Sequence, residues 1–225
     1  MQTTFLPTNV REYIDKQIRA FIWGSSEGGR KIHLIDWETI CNPKEEGGLG
    51  LRNATRMNEA FMLKIAWRLM AEPESLWASI VRAKYLRRME GGWQPRTPGR
   101  LSNLWRGVLR ILHLIPDAIM WNIKSGRSTR FWTDRWLQDD PVLADLAANL
   151  PQEALSLTVA DMVLNGDWNI SYLRAFLQDD SVSTIQLHPV PHEEGEDVAV
   201  WRYTPDGCFS LKTVYTLTDS LLLSL

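Results

Sequence analysis

Residues 125–136 read SGRSTRFWTDRW and mix three arginines with three aromatic rings. Arginine beside aromatic rings is typical of a nucleic-acid-binding surface, because guanidinium groups contact phosphates while rings stack on bases. The same mixture is typical of a hairpin with buried rings and solvated arginines. Turn chemistry at residues 125–127 predicts a hairpin here between two short strands, 118–124 and 128–134.

Alternation along the second predicted strand does not separate rings from charges. It puts Arg130 and Trp132 on one face and Phe131 on the other. We therefore expect Phe131, Trp132 and Trp136 mainly to pack in the interior. Arg127 and Arg130, near the turn, are the candidate phosphate contacts of this segment.

Upstream of this segment, apolar residues recur at helical spacing. A first helix should follow Pro7, Asp36 should cap a single helical turn, and Asn53 and Ser102 should cap two longer helices. The first helix carries an apolar stripe of Val10, Tyr13, Ile14, Ile18, Phe21 and Ile22. A helix over residues 74–86 carries a stripe of Leu76, Trp77, Ile80, Val81 and Tyr85, with Arg82, Arg87 and Arg88 lying off it.

Downstream, short helical segments alternate with loops, and residues 204–207 read TPDG, a strong turn signal. A hairpin around this turn and a C-terminal helix over 211–223 should follow. The predicted class is α+β, mainly α-helical, with short β-hairpins and small helices in the second half. We expect three regions: a helical part over 1–115, a linker over 116–195, and a last region over 196–225.

Composition excludes several classes of protein. The chain has 225 residues and a net charge of -2, and it contains no apolar run close to the roughly 20 residues of a membrane helix. The first residues lack the pattern of a secretory signal, so we expect an intracellular protein, with the nucleus as one candidate compartment. Two distant cysteines, Cys41 and Cys208, cannot form a disulfide framework and should be reduced.

Charge is distributed unevenly along the chain. Residues 1–137 contain 22 Lys or Arg against 13 Asp or Glu, whereas residues 138–225 contain 3 against 14. The densest basic tract runs from Arg82 to Arg110, opposed only by Glu90. Such a tract favours contact with a polyanion, although a solvated basic face is the plain alternative. The candidate phosphate contacts are Arg82, Lys84, Arg87, Arg88, Arg96, Arg100, Arg106, Arg110, Arg127 and Arg130.

Catalytic motifs are scarce. The tetrapeptide LQDD ends at Asp140 and again at Asp180, but both pairs fall at predicted helix ends, where aspartate is usually solvated. His188 and His192 have the spacing of a helical metal pair, yet the prolines in HPVPH exclude a helix. The sequence therefore predicts no catalytic residue, no metal ligand and no cofactor in this chain.

Five blocks together resemble one family. They are MQTTFLP…REYIDKQIRAFIWG (1–24), KIHLIDWETICNPKEEGGLGLRN (31–53), LWASIVRAKYL (76–86), SGRSTRFWTDRWL (125–137) and WRYTPDGCFSLKTVY (201–215). Their order and spacing resemble the region downstream of the polymerase core in reverse transcriptases of plant non-LTR (LINE-type) retrotransposons. The resemblance covers nearly the whole chain.

The resemblance implies a function as well as a fold. Residues 1–115 would correspond to a thumb that holds an RNA or DNA duplex, followed by a linker and by the start of the family's zinc-binding domain. The family's polymerase aspartates and zinc ligands have no counterpart in this sequence, so magnesium and zinc are expected only in the full-length parent. We expect a fragment truncated at both ends, whose missing polymerase core is a natural partner.

The sequence is compatible with two further hypotheses. The chain could be a structural or protein-interaction module, in which the acidic half neutralises the basic half. It could also be an enzyme acting as a polymerase or nuclease, which the scarcity of catalytic motifs disfavours.

Overall fold

A computed structural model describes residues 3–24, 35–72, 74–89, 92–96, 101–137, 141–192 and 194–222, with side chains throughout except at 87–89, 92–94 and 217–222. Helices account for about half of the chain, and the strands form small antiparallel pairs. This confirms the mainly α-helical α+β class.

The helices and strands have the following bounds. The α-helices are α1 (Thr8–Ile22), α2 (Trp37–Cys41), α3 (Ala54–Ala71), α4 (Leu76–Tyr85), α5 (Asn103–Ile111), α6 (Ile115–Ala118), α7 (Leu143–Leu146), α8 (Ile170–Leu173), α9 (Asp179–Leu187) and α10 (Leu211–Leu222). The strands are β1 (Leu86–Met89), β2 (Gly92–Pro95), β3 (Ile119–Asn122), β4 (Val163–Leu164), β5 (Asp167–Trp168) and β6 (Val198–Trp201). Short 3-10 turns lie at Lys44–Glu46, Leu112–Leu114, Gln152–Ser156 and Ala160–Met162.

The predicted helix caps are confirmed. Asp36 Oδ1 accepts a hydrogen bond from the Thr39 N–H at 2.9 Å, and Ser102 Oγ accepts one from the Trp105 N–H at 3.2 Å. Asn53 Oδ1 accepts from the N–H of Thr55 at 2.8 Å. Each cap satisfies a backbone donor that the first turn of a helix leaves without a partner.

The hairpin predicted around residues 125–127 is wrong. β3 pairs antiparallel with β6, with Ile119 opposite Trp201 and Asn122 opposite Val198. The TPDG turn forms, because the Gly207 N–H donates to the Thr204 carbonyl at 3.1 Å, but the strand before it pairs with β3 rather than with residues 208–210. Pairing with a strand distant in sequence thus replaces the hairpin predicted around residues 125–127. Across the TPDG turn the Trp201 N–H donates to the Gly207 carbonyl at 2.7 Å, but residues 208–210 do not form a strand.

A hairpin appears instead where the sequence predicts a helix end and a loop. α4 ends at Tyr85, and β1 pairs with β2 with Arg87 opposite Gln94 and Arg88 opposite Trp93. The placement of Arg87 and Arg88 on a helix is therefore wrong; both lie on β1.

The chain forms two compact units, each assembled from separate segments. Unit 1 comprises residues 1–66, 99–112 and 210–225, and unit 2 comprises residues 67–98 and 113–209. These units follow spatial contacts, whereas the three predicted regions follow order along the chain. The three-region division stays a prediction.

The core of unit 1 lies between α3 and α5. Trp105 on α5 and Met62 on α3 are both fully buried. A Cβ atom at Gly107 would lie 2.9 Å from the Met62 sulfur and 2.9 Å from the Phe5 Cβ. A glycine in the middle of α5 therefore allows the two helices and the N-terminal segment to approach closely.

The apolar stripe predicted for α1 does not form its buried face. Val10, Tyr13 and Phe21 are exposed, Phe21 by 88%. The helix buries Arg11 and Asp15 instead. Asp15 Oδ1 accepts a hydrogen bond from the Ala54 N–H at 2.9 Å, so that this carboxylate joins α1 to the first turn of α3.

The stripe predicted for α4 is likewise turned outward in part. Leu76 and Ile80 are 76% and 58% exposed, whereas Ala78 and Tyr85 are buried.

The core of unit 2 is built from the aromatic residues of the 125–136 segment. Phe131 and Trp132 are fully buried, and Trp136 is 6% exposed. Trp136 stacks on Trp168 with ring centroids 5.7 Å apart, and the Phe131 ring centroid lies 5.0 Å from that of Trp132. This confirms the prediction that these rings pack, since burying such aromatic side chains is among the largest single contributions to a core.

Candidate nucleic-acid interface

The ten predicted phosphate contacts are divided between the two units. Unit 1 carries Arg100, Arg106 and Arg110, and unit 2 carries Arg82, Lys84, Arg87, Arg88, Arg96, Arg127 and Arg130. Arg100 lies outside the described residues, as do the side chains of Arg87 and Arg88.

Arg82 is directed into unit 2. Its guanidinium donates to the carbonyl of Leu69 through Nε at 2.9 Å and also through Nη2, and to the carbonyl of Met70 at 3.3 Å. These carbonyls belong to the last turn of α3, where the helix leaves acceptors without intrahelical partners. Burial lowers the pKa of Arg82. Arg82 therefore caps the C-terminal end of α3.

Arg106 and Arg110 lie one turn apart on the exposed side of α5. Arg106 Nη2 donates to Asn103 Oδ1 at 2.6 Å, and the Arg110 guanidinium lies 4.7 Å above the centroid of the Phe5 ring. Each contact orients a guanidinium while leaving further N–H donors at the surface. The pair can therefore contact neighbouring phosphates.

Lys84 and Arg96 are exposed near the β1–β2 hairpin of unit 2. The Lys84 ammonium lies 5.1 Å from the centroid of the Tyr85 ring. The Arg96 N–H donates to the Tyr85 carbonyl at 2.6 Å, which joins the end of β2 to the end of α4. Lys84 and Arg96 thus lie on either side of the β1–β2 hairpin in the sequence.

The loop of the 125–136 segment is organised around a buried carboxylate, Asp197. This carboxylate accepts hydrogen bonds from the backbone N–H groups of Lys124 (2.9 Å), Gly126 (2.8 Å), Ser128 (3.2 Å) and Thr129 (3.1 Å). It also accepts from both hydroxyls, Ser128 Oγ and Thr129 Oγ1, each at 2.9 Å. Six donors thus surround one side chain that precedes β6, and this arrangement brings β6 to β3.

The electrostatics of Asp197 reflect this arrangement. Burial raises the pKa of the carboxyl, but the hydrogen bonds from Lys124, Gly126, Thr129 and Ser128 outweigh it, so the pKa lies below its usual value. Charge-assisted hydrogen bonds favour the ionised form. Asp197 is the important residue that sequence reasoning missed, because it lies in an acidic run that looks uniformly solvated.

Gly126 is required by this loop. Its φ is +67°, and a Cβ atom there would lie 3.0 Å from the Ala160 nitrogen and 3.1 Å from the Val159 Cβ. Its N–H is also one of the Asp197 donors. The glycine of the motif thus serves backbone geometry rather than ligand contact.

The two arginines that flank this loop differ. Arg127 is exposed at its tip, whereas Arg130 is half-buried. Arg130 Nη1 donates to the Leu155 carbonyl at 3.2 Å, and its backbone N–H donates to Asp134 Oδ2 at 2.8 Å. Of the two, Arg127 is the side chain with an accessible guanidinium.

Little in the described residues supports catalysis. Asp179 and Asp180 start α9 and are exposed, while Asp139 and Asp140 lie outside the described residues. No group of three or more His, Cys, Asp or Glu is placed to hold a metal ion within the part of the chain that the structure describes. Burial raises the pKa of the Cys41 thiol to about 11, so it is protonated at neutral pH.

Among the helices described, none combines the length and apolar character that crossing a bilayer requires.

Two proteins of Arabidopsis thaliana are similar to this chain. It is 29% identical over 221 residues to "Putative ribonuclease H protein At1g65750", covering 96% of this chain and 36% of that relative. It is 31% identical over 127 residues to "Uncharacterized mitochondrial protein AtMg00310", covering 56% of this chain and 82% of that relative. The chain thus spans little more than a third of the first relative's length. The sequence matches no protein-family profile, and no solved structure matches it.

Proposed function

The chain belongs to one family with the uncharacterized mitochondrial protein of Arabidopsis thaliana, and from this premise we propose that it is a non-catalytic, nucleic-acid-binding segment of a retroelement reverse transcriptase. The proposed ligand is an RNA or DNA duplex, contacted through its phosphates without regard to sequence. The segment would act as a thumb and linker beside a polymerase core.

The observation that carries this proposal is a set of exposed cations that form no ion pair with a described acidic residue. Lys84, Arg96, Arg106, Arg110 and Arg127 are exposed. Among the ion pairs between described residues, none involves any of these five side chains. Cations that remain unneutralised at a surface attract phosphates, and contacts to the phosphate backbone position a duplex without reading its sequence.

The similarity to the relative named as a ribonuclease H protein also supports the proposal of nucleic-acid binding. Its alignment spans 96% of this chain, so the similarity extends over both units. A protein that carries this name acts on nucleic acid, and a segment that holds the duplex suits such a protein. We place this chain in that role and not in the catalytic one.

A direct binding measurement tests the proposal. The affinity for an RNA–DNA hybrid should be measurable at about 50 mM salt and should fall steeply as salt rises, because released counterions drive the binding. The double variant R106E/R110E should weaken binding by at least about tenfold. K16E/K44E is the matched control, since both lysines are exposed in unit 1 outside the basic tract. Equal losses in the two variants would contradict the proposed surface.

The non-catalytic part of the proposal has its own test. A magnesium-dependent primer-extension assay with the purified chain should show no nucleotide incorporation above background. Nucleotide incorporation above background by the purified chain would overturn the non-catalytic assignment.

A second candidate function is a protein-interaction module, favoured by the outward apolar side chains of α1. Val10, Tyr13 and Phe21 are exposed on this helix, and a stable monomer rarely exposes such a set without a binding role. A polymerase core is the partner that this hypothesis names. Hybrid binding that is absent at low salt, together with co-purification of the core, would favour it over the duplex-binding proposal.

A further inference from the structure

Unit 2 contains an open cleft with a volume of about 810 Å³. Its walls are the strands β3 and β6, residues 188–192, and the turn at residues 203–207. Cavities of several hundred cubic ångströms that combine aromatic walls with a few polar groups are the usual form of a small-ligand site. None of the predicted phosphate contacts whose side chains the structure describes lines this cleft.

The walls of the cleft are rich in aromatic rings. Trp136, Trp168 and Trp201 are buried and fixed by ring contacts, and the Trp168 Nε1–H donates to the His188 carbonyl at 3.0 Å. Trp121 and Tyr203 also line the cleft but are only half-buried. Tyr203 is held against Trp201 with centroids 5.5 Å apart. The cleft therefore has a rigid aromatic base and two rings that are partly accessible.

Two cationic side chains, Lys124 and Arg202, line the cleft. The imidazoles of His188 and His192 also line it. Among the described lining residues, Asp206 is the single carboxylate, and its Oδ1 already accepts a hydrogen bond from the Cys208 N–H at 3.0 Å. The cleft thus presents positive charge beside aromatic surface, although the surrounding half of the chain is acidic.

We propose that this cleft binds an unpaired nucleotide of a single-stranded nucleic acid. The base would stack on the accessible faces of Trp121 and Tyr203, and its phosphate would contact Lys124 and Arg202. A duplex cannot use this site, because its bases are paired and stacked on one another. The proposal uses different residues from the duplex contacts above and does not depend on them.

Charge complementarity separates this ligand from a proline-rich peptide, which also binds aromatic grooves. Such a peptide uses an uncharged extended backbone and gives no role to Lys124 and Arg202. A nucleotide uses both the rings and the cations. The cleft therefore fits the nucleotide better.

The test measures fluorescence anisotropy of a labelled oligothymidylate of about twelve nucleotides, a length typical of single-strand sites. The matched probe is an abasic strand of the same length, which keeps the phosphates and lacks the bases. Oligothymidylate should bind about tenfold more tightly than the abasic strand, since stacking of even one base is worth that factor. Thymidine monophosphate, tested as a competitor, distinguishes a free nucleotide from a strand.

Amino-acid substitutions test whether the strand binds in the cleft. R202E should weaken oligothymidylate binding about tenfold and reduce the slope of log affinity against log salt by about 0.7 for each phosphate that the variant no longer neutralises. R174E is the matched control, because Arg174 is exposed in unit 2 outside the cleft. Y203A should remove most of the preference for oligothymidylate over the abasic strand. Arg202 is exposed, so R202E remains informative even where Y203A impairs folding.

Three outcomes would overturn the cleft as a nucleotide site. They are equal affinity for the abasic strand, equal effects of R202E and R174E, and displacement of the labelled strand by a proline-rich peptide at lower concentrations than unlabelled oligothymidylate requires. The duplex proposal is tested separately by R106E/R110E, which should leave oligothymidylate binding unchanged. Loss of strand binding in R106E/R110E and not in R202E would reject the cleft while leaving the duplex proposal intact.

Discussion

At the scale of single residues, Asp197 is the side chain on which the 125–136 loop depends. D197N should lower the free energy of unfolding by about 2 kcal/mol, because the amide cannot accept from all six donors and leaves buried N–H groups without partners. Urea unfolding followed by tryptophan fluorescence measures this change. E194Q is the matched control, since Glu194 is exposed three residues away. A D197N protein as stable as E194Q would show that the carboxylate contributes nothing.

The lowered pKa of Asp197 also predicts a pH dependence. Because the folded-state pKa lies below the unfolded-state value, the stabilisation is present in full at neutral pH and is lost as the pH falls through the acid range, below about pH 4. The free energy of unfolding of the native sequence should therefore fall more steeply with acid than that of D197N. Parallel curves for the two proteins would contradict the assignment.

The sequence predicts only part of this residue-level picture. The packing of Phe131, Trp132 and Trp136 follows from local alternation and apolar character, and it is confirmed. The use of Ser128 and Thr129 does not follow, because their acceptor lies 69 and 68 residues away. A glycine-containing loop rich in N–H and hydroxyl donors is the signal that could have suggested a buried anion.

At the scale of secondary-structure elements, Arg82 fixes the end of α3. R82M keeps much of the buried stem and removes the guanidinium, so the carbonyls of Leu69 and Met70 lose their donors. We expect a loss of about 1–2 kcal/mol in the free energy of unfolding. K84M, an exposed substitution on the same helix, should change it by less than about 0.5 kcal/mol. Equal stability of R82M and K84M would refute a capping role and would return Arg82 to the candidate phosphate contacts.

The same scale shows which elements a sequence can predict. Caps at Asp36, Asn53 and Ser102 depend on residues within one helical turn, so local chemistry predicts them. The β3–β6 pair joins strands that are distant in sequence, and the local turn signal at residues 125–127 predicts the wrong partner for β3. The sequence does not predict the buried face of α1, because the helix buries the charged residues Arg11 and Asp15 although its apolar residues recur at regular helical spacing.

At the scale of the whole molecule, the uneven charge is not cancelled by ion pairs between the basic and acidic halves of the described sequence. The ion pairs between described residues join near neighbours in sequence, such as Arg135 with Asp117 and Arg174 with Asp179, or residues of the same unit, such as Arg11 with Glu59. Lys84, Arg96, Arg106, Arg110 and Arg127 therefore form no ion pair with a described carboxylate of the acidic half, which is what the duplex proposal requires.

Unit 1 is assembled from three separate segments, and α10 belongs to the last of them. Tyr215 on α10 accepts a hydrogen bond from the Asn53 N–H at 2.8 Å and donates to the Leu51 carbonyl at 3.3 Å, while Val214 is fully buried. α10 thus holds the start of α3, so a chain ending at residue 209 should lose stability in unit 1. Y215F removes only the hydroxyl and should cost about 1 kcal/mol, a graded control for the truncation.

Thermal unfolding followed by far-UV circular dichroism compares the three proteins. We expect the order of stability to be the full chain, then Y215F, then the chain ending at 209. A truncated chain that melts with the full-length protein would show that residues 1–209 form unit 1 without α10.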